Sequence, residues 1–272
     1  MPSKMPSITI VLLLIIVSIA CTSADDKPAE KPADNAPKLV WGDEFTNTGL
    51  PDSTKWSYDV GGDGWGNNEW QFYTGKRAEN ARVENGLLII EARKESWQGK
   101  QYTSTRLISK GKGDWQYGRI EVKAKLPKGV GTWPAIWMLA STTPLNWPDD
   151  GEIDIMEHVG YDQGKIHGTV HCKKYNHVIG TQKSADTLIA DCSENFHVYS
   201  VEWNAEKLSI GIDGTNYFHF TNEHSSYDAW PFDNKFHLLL NIAVGGNWGG
   251  SKGVDEKIWP QRMEIDYVRV YQ

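Results

Sequence analysis

Beyond residue 38, apolar and polar positions alternate with a period of two rather than the 3.6 of an amphipathic helix. Residues 117–126 show it most plainly. Ile120, Val122, Ala124 and Leu126 fall on one face, and Arg119, Glu121, Lys123 and Lys125 on the other. Strand-like runs also cover 86–94, 135–140, 152–159, 165–173, 197–203, 208–212, 217–220, 236–244 and 264–271. Asp213-Gly214 between two such runs is a hairpin signal. No segment reads as a long amphipathic helix. Short strands with glycine-rich connections predict an all-β fold. The expected architecture is an antiparallel two-sheet β-jelly-roll sandwich, with one face curved into a concave substrate cleft.

The chain has 272 residues, a size that one β-sandwich reaches. Its formal net charge of −7 argues against nucleic acid as a partner, since phosphate needs a basic face. Thirteen Trp and 26 Gly change the picture more. That many indoles cannot all be core, so some present flat faces to a ligand. Three cysteines are too few for a disulfide-built scaffold.

The N-terminus reads as an export signal. Residues 8–20 follow Lys4 and are apolar but for Thr9 and Ser18, a run too short to span a bilayer. Ser18-Ile19-Ala20-Cys21 resembles a lipobox, with Ser18 where an aliphatic residue is usual. On this reading residues 1–20 are removed and Cys21 is lipidated, giving an outer-membrane or cell-surface lipoprotein. The alternative is cleavage after Ala24 and free secretion. Residues 21–37 carry Pro, Ala and mixed charge with no large apolar side chain, which makes a flexible linker. Residues 38–272 form one domain, expected to act as a monomer.

The chemistry concentrates in Gly151-Glu152-Ile153-Asp154-Ile155-Met156-Glu157-His158. Side chains at i and i+2 of a strand share a face, so Glu152 and Asp154 point together. Glu157 is an odd step away and would point to the opposite face. One inserted residue near Ile155-Met156 brings it back, and β-bulges re-aim side chains in this way. Glu152 and Glu157 then sit like i and i+4, with Cα atoms about 13 Å apart or less. Their carboxyls could approach to about 5 Å, the separation of retaining glycosidases, although the backbone spacing also permits the wider inverting geometry. Repulsion among three such carboxyls raises at least one pKa, so that one acid stays protonated while another is ionised. Trp133, Trp137 and Trp147 nearby suit the C–H faces of a sugar. A solvated acidic strand, or a Ca²⁺ site, is the plainer reading.

Glu152-Ile153-Asp154-Ile155-Met156-Glu157 resembles the signature of glycoside hydrolase family 16, in its bulged form. The likeness extends over nearly all of 39–272. It includes Trp41-Gly42-Asp43-Glu44-Phe45, the blocks at 65–71, 131–137, 167–171 and 245–250, and the closing 264–271. These blocks favour the bacterial laminarinase branch. The resemblance implies endo-acting, retaining hydrolysis of β-1,3-glucosidic bonds in laminarin-type β-glucans. Glu152 is then the nucleophile, Glu157 the general acid/base and Asp154 the assisting acid, and catalysis needs no cofactor. It also implies substrate-binding roles for Asn67, Arg106 and His171. Trp133 and Trp248 are candidate stacking platforms. Trp137 lines the site or fills the core. A turn cap, a surface ion pair and a structural histidine are the plain alternatives for Asn67, Arg106 and His167. A Zn²⁺ pair of His167 and His171 lacks a further spaced ligand set. Family members often hold a structural Ca²⁺, and the matching positions are the carbonyls of Glu44 and Gly86 and the carboxylate of Asp266.

With Cys21 processed separately, Cys172 and Cys192 are left either to form a disulfide, worth about 3 kcal/mol, or to remain as buried thiols. Two competing functions stay open at this point. One is the same fold acting on mixed-linkage glucan, agar or carrageenan. The other is a non-catalytic β-glucan-binding module.

Overall fold

The structure is a computed structural model that describes residues 1–2 and 36–272. The expected signal segment 1–20, Cys21 and the linker 21–37 lie outside the described residues, apart from their ends. Pro37–Gln272 forms one compact unit.

The compact unit is built from strands, numbered here in chain order. They are β1 (Leu39–Asp43), β2 (Ser57–Asp59), β3 (Gln71–Tyr73), β4 (Ala81–Glu84), β5 (Leu87–Trp97) and β6 (Lys100–Ser104). Then follow β7 (Arg106–Ile108), β8 (Asp114–Trp115), β9 (Gly118–Lys125), β10 (Thr132–Ala140), β11 (Glu152–His158) and β12 (Lys165–His171). The last are β13 (Lys183–Leu188), β14 (His197–Trp203), β15 (Lys207–Ile212), β16 (Thr215–Thr221), β17 (Phe236–Val244) and β18 (Gln261–Tyr271). The one helical element among the described residues is a 3-10 turn, His177–Ile179, capped by the Asn176 side chain.

Two sheets result. The ten-stranded sheet runs β16-β15-β14-β9-β18-β5-β6-β3, with β1 on β18 and β4 on β5. The eight-stranded sheet runs β13-β12-β11-β10-β17-β7-β2, with β8 on β17. Lys38 and Gln272 exchange backbone hydrogen bonds of 2.8 and 3.0 Å, tying the start of the domain to its end. The architecture is the two-sheet jelly-roll sandwich that the alternation predicts. One pairing departs from it: β3 and β6 run parallel. They are joined through β4 and β5, and such a crossover is what parallel neighbours require.

The core lies between the sheets. Ile120, Val122, Ala124, Val201, Ile210, Ile136, Met138, Leu238, Leu240 and Ile242 are all fully enclosed there. β17 is buried along its whole length, as a central strand should be. The opposite face of the eight-stranded sheet is where the chemistry collects. On β10, Trp133 and Trp137 alternate with the core residues Ile136 and Met138. Trp137 therefore lines the site and does not fill the core.

Cys172 and Cys192 are both free and buried, which corrects the disulfide expectation. Each sulfur has its own neighbours: the Cys172 thiol faces the Ala229 carbonyl at 3.6 Å, and Cys192 Sγ lies 3.6 Å from Gln163 Nε2 and 3.8 Å from Ser193 Oγ.

Candidate active site

The bulge in β11 sits where the carboxylate spacing demands it. Against β12, Glu152 pairs with His171, Asp154 with Thr169 and Glu157 with His167, so three steps on β11 match two on β12. Against β10, Met156 pairs with Ile136 and Asp154 with Trp137, leaving Ile155 as the extra residue. Ile153, Ile155 and Met156 are fully buried in the core. Glu152, Asp154 and Glu157 are thereby gathered on one face.

Each glutamate is held by an indole from a different segment. Trp133 Nε1 donates to Glu157 Oε1 at 3.0 Å, and Trp147 Nε1 donates to Glu152 Oε2 at 2.7 Å. His171 Nε2 faces the pair from β12, 3.4 Å from Asp154 Oδ2 and 4.0 Å from Glu152 Oε1. Oxygens of Glu152 and Asp154 lie within 4.8 Å of each other.

Burial is the first cause of the electrostatics. It pushes Glu152 up to about 8, with the charge of Asp154 adding and His171 and the Trp147 donor opposing. It pushes Glu157 up to about 7, with the Trp133 donor opposing and the charge of Glu152 adding. Asp154, only 2% exposed, is raised well above the usual carboxylate range. Such a cluster retains protons at neutral pH. A proton on Asp154 removes its repulsion and supplies a hydrogen-bond donor to Glu152, which favours an ionised Glu152. The group can therefore present one carboxylate and one carboxylic acid side by side.

Aromatic groups surround the acids. Trp248 packs edge-on against Trp133 at 5.5 Å and against His167 at 5.0 Å. Trp133 thus combines a half-buried ring with an indole N–H committed to Glu157. On the other side, Trp147 lies against His177 at 5.2 Å and His171 at 6.2 Å.

Arg106, on β7, is clamped between Trp65 and Trp137, 4.8 and 4.6 Å from the ring centres. Its Nε is 3.1 Å from Asp59 Oδ2. It is ion-paired as the plain reading expects, but largely buried on the site face rather than at the surface.

Asn67 sits half-buried in the glycine-rich loop. Its carbonyl accepts from Asn247 N at 2.8 Å, and its side chain reaches Glu69 Oε1 at 3.5 Å. Gly245, at φ 68°, lets this loop close, because a Cβ there would stand 2.8 Å from the Trp70 ring.

Sequence reasoning gave Glu69 no role and offered Trp147 only as a flat face near the acids, not as a hydrogen-bond donor to Glu152. Glu69 is 8% exposed and accepts from Gln71 Nε2 at 2.6 Å and Tyr73 OH at 3.2 Å. Asn241 extends the chain of bonds, donating to Tyr73 OH at 3.0 Å and accepting from Trp137 Nε1 at 2.7 Å. Burial raises Glu69, opposed by these donors and by Arg106, and its charge in turn raises Glu157. No periodicity marks Glu69. Its one signal is a charged residue inside an aromatic, glycine-rich loop.

The expected calcium positions lie elsewhere. Asp266 is the unpaired residue of a bulge in β18, and its Oδ2 is 2.8 Å from Lys123 Nζ. The Glu44 carboxylate is engaged by Arg269 at 2.8 and 2.9 Å. The one carboxylate of the expected donor set is thus neutralised by an ammonium, and it fits the ion only if Lys123 turns away.

Comparison with known proteins agrees with this geometry. The family model described as Glycosyl hydrolases family 16 matches residues 68–269. The chain is 49% identical over 279 residues to a protein named Beta-glucanase from Rhodothermus marinus, covering 99% of this chain and 96% of that one. The X-ray structure of the laminarinase from Rhodothermus marinus superposes with a TM-score of 0.85 at 52% identity, over 87% of this chain and 97% of that one. SCLam, a non-specific endo-β-1,3(4)-glucanase, superposes with a TM-score of 0.84 at 52% identity, over 90% and 94% of the two chains. With these matches in fold, sequence and length, the chain belongs to family 16 of the glycosyl hydrolases.

Proposed function

We propose that this chain is an endo-β-1,3-glucanase that cleaves laminarin-type β-glucans with retention of anomeric configuration. The observation that carries the reading is the bulged β11, which gathers Glu152, Asp154 and Glu157 on one face with an indole donor on each glutamate. Glu152 attacks the anomeric carbon while Glu157 gives its proton to the departing glycosidic oxygen. A glycosyl ester on Glu152 results. Glu157, now ionised, takes a proton from water, which attacks the same carbon and releases Glu152. Asp154 holds the proton that keeps Glu152 ionised. Trp248 and the ring of Trp133 stack on the glucan, and Asn67 and His171 hydrogen-bond to its hydroxyls.

Mixed-linkage glucan is a second substrate, favoured by the likeness to a structure described as a non-specific β-1,3(4)-glucanase. Sulfated galactans are disfavoured. Arg106 is already neutralised by Asp59. Reducing-end release from laminarin, mixed-linkage glucan, agarose and carrageenan in parallel tests the assignment. Release from laminarin, lost in Glu152→Ala, supports it. Binding of laminarin without release supports the binding-module alternative.

Two further parts of the proposal concern the rest of the chain. Export with a lipidated Cys21 is supported by the charged, then apolar, N-terminus and the lipobox-like Ser18–Cys21. Acyl labelling that disappears in Cys21→Ser tests it, and an unlabelled parent chain removes it. Calcium would be held by the Glu44 and Gly86 carbonyls and Asp266, as a weak structural ion that must displace Lys123. Hard oxygen donors support it. A thermal midpoint that rises in millimolar CaCl₂ and falls back with EDTA is the expected result; no shift removes the ion.

A further inference from the structure

The two acids of the nucleophile end and the histidine opposite them have a geometry that sugar binding does not require. One donor atom from each of Glu152, Asp154 and His171 can be chosen so that all three lie within 4.8 Å of one another. His171 Nε2 stands 3.4 Å from Asp154 Oδ2 and 4.0 Å from Glu152 Oε1. In a tetrahedral zinc site, bonds of about 2.0–2.1 Å place neighbouring ligand atoms about 3.4 Å apart. One edge already has that length, and the others close with small side-chain movements.

A second observation points the same way. Asp154 Oδ2 is buried and makes no hydrogen bond. An enclosed carboxylate oxygen without a partner is costly, and here it faces the imidazole nitrogen. Glu152 is divided between two tasks: Oε2 accepts from Trp147, leaving Oε1 on the His171 side.

We propose that Glu152, Asp154 and His171 bind one Zn²⁺ ion, and that the bound ion blocks the cleft as a competitive inhibitor. Two carboxylates match the charge of the ion. One imidazole nitrogen among the ligands favours zinc over Ca²⁺ or Mg²⁺, which want six or more oxygens. Three protein ligands leave a fourth position for water, the open pattern of exchangeable zinc. With the ion seated, the lone pairs of Glu152 are engaged by metal, so the nucleophile and the ion exclude each other. The inhibitory half rests on the hydrolase reading; the binding half does not.

The His167 and His171 pair considered from sequence is a different arrangement, since His167 stands opposite Glu157 and packs on Trp248. His197 lies between Asp191 at Nε2 and Asp213 at Nδ1, so these acids are on opposite edges of its ring and do not share an ion. The exposed pair of His224 and Glu206 serves as the surface control.

The test is calorimetric titration of the folded chain with ZnCl₂, with MgCl₂ in parallel. One zinc per chain is expected, weakened at least tenfold in Glu152→Gln and in His171→Gln and unchanged in His224→Gln. The zinc-induced rise in thermal midpoint, read on each variant, separates loss of the site from loss of the fold. Glu157→Gln keeps all three ligands and turns over slowly, and laminarin added to it should weaken zinc binding. Zinc bound equally well by parent, Glu152→Gln and His171→Gln overturns the site, and so does a parent chain that binds none. Zinc binding that maps to the trio in a chain that hydrolyses no glucan leaves the site standing and removes the hydrolase reading.

Discussion

At the scale of single residues, the site works through donors placed on acids that burial would otherwise silence. Trp147 stabilises the ionised form of Glu152 through a 2.7 Å hydrogen bond. Replacing it by Phe keeps a ring and removes the N–H. A charge-assisted bond of this kind is worth about 1.5–3 kcal/mol. Trp147→Phe should therefore lower kcat/KM about tenfold and move the acidic limb of its pH profile up by about one unit. An unmoved limb would contradict the role. Glu69 acts in the other direction, since its charge raises Glu157. Glu69→Gln keeps hydrogen-bonding groups toward Tyr73 and Gln71 and removes the charge. Glu157 then loses its proton at lower pH, and the basic limb that it sets should move down. A downward shift with KM little changed identifies a positioning role; a loss of fold read by thermal midpoint identifies a structural one.

At the scale of elements, strand parity is decisive. Deleting Ile155 would remove the bulge and leave Glu152, Ile153, Asp154, Met156 and Glu157 in regular alternation, with the three acids still on one face. The deletion should therefore keep Glu157 in the site and retain hydrolysis. Deleting Met156 as well would put Glu157 an odd step from Asp154, turn it toward the core, and abolish hydrolysis. A folded double deletion that hydrolyses like the parent would mean that strand parity does not place Glu157. This bulge was legible in the sequence because parity on a strand is strict: Glu157 could not join Glu152 and Asp154 otherwise. The long strands were legible for the same reason. The short ones were not. β2, β3, β7 and β8 have two or three residues, too few to show a period, and β13 is an exposed edge of mixed character. The indole on Glu152 was hidden because Trp147 reaches it from a loop whose path is set by tertiary packing. The choice between a disulfide and two buried thiols stayed open for a related reason, and the structure shows the thiols. Proximity in sequence and compartment does not fix where two sulfurs point, and Cys172 turns toward Ala229.

At the scale of the whole molecule, the active site is held at a cost in stability. An acid whose folded pKa is raised binds its proton more tightly in the native state than in the unfolded chain. Stability is then highest at acid pH for that group and is lost as pH rises through the window between the two values. For Glu152 the window runs from 4.5 to about 8. At about 1.4 kcal/mol per unit, its ionisation costs the fold up to about 5 kcal/mol. Glu152→Gln should thus unfold at a higher temperature than the parent at pH 8, by several degrees, and at the same temperature at pH 4. Equal midpoints at both pH values would show that Glu152 is not strained by its surroundings. The rest of the fold supports such a cost, with a continuous core running between the two sheets under β10, β11 and β17.

The most direct measurement is proton NMR of laminarin in the first minutes of digestion, with Glu152→Ala alongside. Double displacement through Glu152 predicts that new reducing ends appear as the β-anomer and drift to the equilibrium mixture, and that Glu152→Ala produces none. New ends that appear first as the α-anomer, or a Glu152→Ala chain that cuts as fast as the parent, would contradict the account.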